Sequence, residues 1–211
     1  MIIDASMLLK CPKCSSVKKV RGLISGNTFG SVYWSDTKRE HPMLPRISPI
    51  QKCMNCGAYF FISDADKKRG TEYSFDLGLL SLEECKEAIE QLTAEGITKK
   101  KEFTLCRETL LRFNDIYYRS DDDSKRNTPC EEDLNFFEEN AERFLEIIGD
   151  IEEWQLLKAE ILREIGRFDE CITLLTEAQG SLSNLSQERS KHVKEEILKR
   201  AKEKDNIVCK L

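Results

Sequence analysis

Nine cysteines stand in this chain, and four of them form two pairs at two-residue spacing, Cys11-Pro12-Lys13-Cys14 and Cys53-Met54-Asn55-Cys56. A CxxC segment presents two sulfurs from one tight turn, so two such turns supply the corners of a tetrahedral thiolate shell. Zn2+ suits that donor set, and the reading is one structural zinc held by Cys11, Cys14, Cys53 and Cys56. Four sulfurs leave no open position for water or substrate, which points to a staple rather than a reaction centre. An iron centre with four thiolates meets the same spacing. Gly57 follows the second pair and suits the positive φ such turns require, with Ser15 at the equivalent place after the first. A second chemistry is thiol redox at Cys11 and Cys14, although the strand-to-helix context of thioredoxin-like motifs is not visible. The other five cysteines are scattered singly and read as small apolar side chains.

Little else in the sequence proposes chemistry. It lacks GxxxxGK[ST], GxGxxG, HExxH and GxSxG segments. The two histidines, His41 and His192, read as a loop and a surface residue. No catalytic residue is assigned, and the chain reads as non-enzymatic.

The elements that must position the cysteines are short strands. Met7-Leu8-Leu9 leads into the first pair and Val17 to Val20 leaves it; Leu23 to Asn27, Gly30 to Trp34 and Tyr59 to Ile62 complete the set. His41 to Pro49 holds three prolines and reads as an extended connection. Tyr33 and Trp34 are expected to pack over the cysteine turns, with stacking on nucleobases as the alternative.

The period turns helical after residue 80. Ser81-Leu82-Glu83-Glu84 is a capping box, and Leu82, Cys85, Ile89 and Leu92 share one face before Gly96. Phe103, Cys106, Leu110, Phe113 and Tyr117 form a second stripe. Arg119 to Asn127, with Asp121-Asp122-Asp123, reads as a solvated linker. Thr128-Pro129-Cys130-Glu131 reads as another capping box, followed by Leu134, Phe137, Ala141, Phe144 and Ile148 on one face. Asp150 is expected to cap a helix ending at Gly166. Two more helices follow, from about Phe168 to Gln179 and from about Ser186 to Lys204. Short connections imply antiparallel neighbours.

The cysteine pattern over residues 8–62 resembles a zinc ribbon, with 38 residues between the pairs. The segment Ile151 to Ile172, with Ala159, Gly166 and Phe168, resembles one tetratricopeptide repeat; Cys171 replaces the usual Ala and Ala178 matches the later small position. The pattern does not recur at the ~34-residue period of a full array. The combination, with Tyr33-Trp34-Ser35-Asp36 and Pro42-Met43-Leu44-Pro45, is similar to a bacterial group of zinc-ribbon proteins with a tetratricopeptide-like helical region. That resemblance implies an α+β architecture: a ribbon-like β domain over residues 1–80, then an all-α antiparallel helical domain over residues 81–211. It also implies a protein-binding groove, with Glu153, Leu156, Glu160 and Arg163 facing the partner.

Charge divides the same way. Residues 1–80 carry 12 Lys/Arg against 7 Asp/Glu, and residues 81–211 carry 21 against 31. That mild basic excess does not by itself argue for nucleic acid, which is the alternative partner, reached through Lys13, Lys18, Lys19, Arg21, Lys38 and Arg39 of the ribbon. Phosphate contacts would make such binding strongly salt-dependent. No apolar run approaches the ~20 residues of a membrane span. The first ten residues lack a signal-peptide pattern, so the expected compartment is the cytoplasm. The leading expectation is an adaptor with one structural zinc and a protein partner.

Overall fold

A computed structural model describes residues 2–120, 122–177 and 187–211. Asp121, Ala178, Gln179 and Ser186, which entered the linker, repeat and helix-boundary readings, lie outside the described residues. Small antiparallel strands come first and six helices follow among the described residues. The strands are β1 (Ile2–Lys10), β2 (Val17–Ser25), β3 (Val32–Tyr33), β4 (Arg39–Glu40), β5 (Ile50–Lys52), β6 (Tyr59–Phe61) and β7 (Asp66–Arg69). The helices are α1 (Leu82–Ala94), α2 (Lys99–Tyr117), α3 (Glu131–Ile148), α4 (Gln155–Glu164), α5 (Phe168–Glu177) and α6 (Gln187–Lys202). Among them, none is long and apolar enough to cross a membrane.

The chain divides into two compact units. The first joins Met1–Ser31 to Glu40–Glu108, and the second joins Val32–Arg39 to Thr109–Leu211. The change from strand to helix comes at residue 81, yet α1 and the first half of α2 belong to the same unit as the cysteines.

In the first unit, β1 lies between β2 and β7 in an antiparallel sheet, and β5 pairs with β6. Alternation along β6 explains why all three of its residues are buried. Phe60 joins Leu9, Val20, Ala65, Cys11 and Cys53 in one apolar cluster. Tyr59 and Phe61 turn the other way, onto Ile50, Leu80, Cys85, Ala88, Leu92 and Leu105. The Ser81 capping box forms as its sequence requires, with Glu84 N–H donating to Ser81 Oγ at 3.1 Å and Ser81 N–H to Glu84 Oε2 at 3.0 Å. Gln91 on α1 serves both backbone groups of Tyr59, accepting its N–H at 3.0 Å and donating to its carbonyl at 3.2 Å.

In the second unit, Phe113 stacks on Phe137 at 4.2 Å between ring centroids. α4 and α5 form a helical hairpin, with Gly166 at φ 78° in the turn and Ala159 and Cys171 both fully buried. Residues Val32–Arg39 leave the cysteine-bearing stretch and complete this unit. Asp36 is fully buried and accepts from Asn114 Nδ2 at 3.1 Å and from Arg119, whose Nε also donates to Asp115 at 2.6 Å. The C-terminal residues close the same region, with Leu211 N–H donating to the Tyr33 carbonyl and Ser35 N–H to the Cys209 carbonyl.

Three local expectations are corrected. The N-cap of α3 is Cys130, not Thr128, and no side chain caps it. Cys130 is itself extended, at φ −76° and ψ 165°, so helical backbone begins at Glu131, two residues later than a Thr128 cap would place it. Asp150 does not cap α4: a 3-10 turn over Glu152–Trp154 precedes that helix, and Asp150 is paired to Lys158 at 3.3 Å. Tyr33 and Trp34, expected to pack over the cysteine turns, are not part of the unit that carries those turns. They belong to the helical unit, where Trp34 is 6% exposed and the Arg119 guanidinium lies 4.8 Å from its ring.

Candidate metal centre

Each cysteine pair sits in the turn of a β-hairpin. Lys10 opposes Val17 across the first and Lys52 opposes Tyr59 across the second. The two turns repeat one hydrogen-bond pattern. Cys11 N–H donates to the Ser16 carbonyl at 2.8 Å and Ser15 N–H to the Cys11 carbonyl at 2.9 Å. Cys53 N–H donates to the Ala58 carbonyl at 2.8 Å and Gly57 N–H to the Cys53 carbonyl at 2.9 Å. The residue after each second cysteine is left-handed, Ser15 at φ 63° and Gly57 at φ 73°. Glycine adopts that conformation without penalty, whereas serine does so at a cost of roughly 1–2 kcal/mol. That a serine accepts it shows how firmly the turn is specified.

The turns bring the four sulfurs of Cys11, Cys14, Cys53 and Cys56 within 4.8 Å of one another. Cys14 and Cys53 are 3.5 Å apart and Cys11 and Cys56 are 3.9 Å apart. Sulfurs about 2.3 Å from a tetrahedral ion lie ~3.8 Å from each other, so the donor set fits such an ion in type, number and separation. Cys11 and Cys53 are buried, Cys14 is half-buried and Cys56 is exposed. The cluster is therefore rooted in the Leu9–Phe60 core on one side and meets solvent on the other.

Three groups that the cysteine spacing does not announce surround the sulfurs. Ser16 Oγ lies 3.1 Å from both Cys14 Sγ and Cys53 Sγ. Asn55 Nδ2 donates to Cys14 Sγ at 3.5 Å, and Lys13 N–H donates to Cys11 Sγ at 3.4 Å. In the thiol cluster by itself, the Ser16 hydroxyl and then its amide, aided by Asn55, hold Cys14 down at about 5. Cys56 is pushed up to about 12: the Ala58 amide opposes the shift, while Cys14, burial and the other thiols raise it. Sulfur-directed donors of this kind favour the thiolate that a metal requires. Their signal in the sequence is position alone, inside a CxxC turn or two residues past it.

His41 lies outside the cluster and its Nδ1 is 2.6 Å from Ser31 Oγ; His192 is exposed. All nine cysteines are free thiols. Burial lifts Cys171 and Cys209 to about 12 and about 11, values that keep them protonated at neutral pH.

The basic side chains read as a nucleic-acid surface are divided between the two units, and most are engaged by other side chains. Lys13 pairs with Glu95 at 3.0 Å, Lys18 lies 3.8 Å from Asp76, and Lys19 pairs with Glu72. Arg21 lies 5.7 Å from the Phe75 ring centroid. Lys38 and Arg39 belong to the helical unit, Lys38 on Asp115 at 2.6 Å and Arg39 over the Tyr33 ring at 5.8 Å. Of the four groove positions, Glu153 alone is exposed; Leu156 is 4% exposed and Glu160 and Arg163 are fully buried. Arg163 donates to both oxygens of Glu160, at 2.9 and 2.6 Å, and to the Asp205 carbonyl at 2.5 Å. These two charges hold the inside of the helical unit together. A partner at its surface would meet Glu153 and not the other three.

No protein-family model matches the chain. No significant match is found among curated proteins, and none among solved structures.

Proposed function

We propose that this is a non-enzymatic interaction protein whose cysteine cluster holds one structural zinc. The observation that carries the reading is the closed donor set: four sulfurs within 4.8 Å, two of them buried in the ribbon core. A shell of four thiolates leaves zinc no position for substrate, so the ion acts by fixing two hairpins to each other. The chain's own residues do the rest. Ser16, Asn55 and the Lys13 amide steady the sulfurs, and Phe60, Leu9 and Val20 anchor the turns that carry them.

The adaptor role falls to the helical unit. The α4–α5 hairpin, with its Gly166 turn and small buried positions Ala159 and Cys171, supports a tetratricopeptide-like reading of that segment. Its outer surface offers a depression lined by Glu138, Glu139, Glu142 and Glu146 with Arg143 and Arg167. That lining suits a basic segment of a protein partner.

Metal analysis with thiol titration tests the zinc. One zinc per chain is expected, with four of the nine thiols shielded from a thiol reagent until a chelator is added. A disulfide between Cys11 and Cys14 without bound metal supports the redox alternative, and bound iron overturns the zinc assignment.

A further inference from the structure

The solvent face of the β2-β1-β7 sheet has a chemistry that neither the zinc nor the helical unit uses. Leu9 and Val20 are fully buried and fix which face looks inward. Alternation then puts Lys10, Lys19, Arg21 and Lys68 on the opposite face. The register agrees: Leu8 stands opposite Lys19 on one side and Lys68 on the other. Strand spacing separates those two lysines by about 10 Å. Lys10, Lys19 and Lys68 are exposed, and among the described residues no carboxylate pairs with Lys68. Asp66 opposes Lys10 at one end of this face, and Glu72 engages Lys19.

Two aromatic rings lie in the segment after β7, one of them close to Arg21. Tyr73 is 68% exposed and Phe75 73% exposed. They are carried on a short strap pinned at both ends, by Ser6 N–H on the Glu72 carbonyl at 2.6 Å and by Arg21 N–H on the Asp76 carbonyl at 2.7 Å. Arg21 also lies 5.7 Å from the Phe75 ring centroid. Large apolar rings held in water by a fixed strap cost free energy unless something covers them.

We propose that this sheet face, with Tyr73 and Phe75 at its margin, binds single-stranded nucleic acid. The lysines and Arg21 meet phosphates, and the two rings meet bases, which a duplex keeps stacked out of reach. An acidic peptide would use the cations but offers no flat bases on which the rings could stack, as a single strand does. The surface is independent of the adaptor role assigned to the helical unit.

The test is fluorescence anisotropy of a labelled single strand of about 15 nucleotides with the full, zinc-loaded chain. Binding is expected at about 50 mM salt, weakening with a log–log slope near −3, as about four phosphate contacts give for single strands. Phe75→Ala is expected to weaken binding about tenfold. Lys68→Ala is expected to reduce the slope by about 0.7. Retained zinc in each variant separates loss of this surface from loss of the ribbon. The proposal is overturned if no binding occurs at about 50 mM salt, or if both variants bind as the parent does. It is also overturned if a duplex of equal length binds as tightly, or if anionic vesicles bind and the oligonucleotide does not.

Discussion

The cluster that carries the cysteines has few apolar side chains to bury, Leu9, Val20, Phe60 and Ala65 beside Cys11 and Cys53, although a second apolar cluster of the same unit lies under α1. The helical unit has a fuller interior, with Phe113, Phe137, Phe144, Ile148, Leu157 and Ile161 all nearly or completely buried. The polar content of the two interiors differs in the same sense. The first unit brings four sulfurs together, whereas the second encloses Asp36, Glu160, Arg163 and Glu164, with Arg119 nearly enclosed beside Asp36. A small cluster can be completed by a metal, whose binding energy then becomes folding energy. A thick core can hold charges, provided each finds a partner to offset its lost hydration. Arg163 is held by Glu160, and Arg119 by Asp36 and Asp115.

The comparison is broken most directly by removing the metal. Structural zinc contributes about 10–16 kcal/mol to small modules at neutral pH. A chelator is therefore expected to abolish amide protection in β1, β2, β5 and β6. Both tryptophans, Trp34 and Trp154, belong to the helical unit, so their emission is expected to stay native. Joint loss of amide protection and native emission would contradict the division.

A smaller effect is expected inside the helical unit. Asp36→Ala leaves the Arg119 guanidinium, 4% exposed, without its main partner. Breaking a buried pair costs about 3–5 kcal/mol, to be read from denaturant unfolding followed by tryptophan emission, with zinc content unchanged. A loss under about 1 kcal/mol would place the pair among ordinary surface pairs.

The smallest expected effect is a pH dependence. Burial, and after it Glu160 and Asp36, hold the Glu164 carboxyl well above the usual carboxylate range; Arg163 and the Asn114 amide oppose this. The folded chain thus keeps a proton that the unfolded chain releases above about pH 4.3. The stabilisation is complete below that pH and is lost as pH rises through the folded value. Glu164→Gln resembles the protonated acid and keeps an acceptor for Asn114 Nδ2, now 2.9 Å from Glu164 Oε2. The variant is expected to gain on the parent between pH 5 and pH 8 in unfolding midpoint. An equal response of the two proteins to pH would remove Glu164 as the cause.

The cysteine cluster was legible because its signals are local. Cysteine spacing, Gly57 and the flanking strands each lie within a few residues of the site they make. The capping box at Ser81 was legible for the same reason. β7 was not: Asp66-Lys67-Lys68-Arg69 has no apolar alternation, because it is an exposed edge strand whose only specification is pairing with β1. The placement of Tyr33, Trp34 and Asp36 was not legible either. Their partners Arg119, Asn114 and Cys209 lie 78 to 174 residues away in sequence. Glu160 and Arg163 misled for a related reason. Charges on a helix normally mark its solvated side, and their burial depends on pairing with each other and on the Asp205 carbonyl.

X-ray absorption at the zinc edge on the purified chain tests the central claim most directly. Four sulfur scatterers at about 2.3 Å, with no nitrogen or oxygen in the shell, are the predicted result. A mixed shell, or a chain that holds no zinc while Cys11, Cys14, Cys53 and Cys56 are intact and reduced, would contradict it.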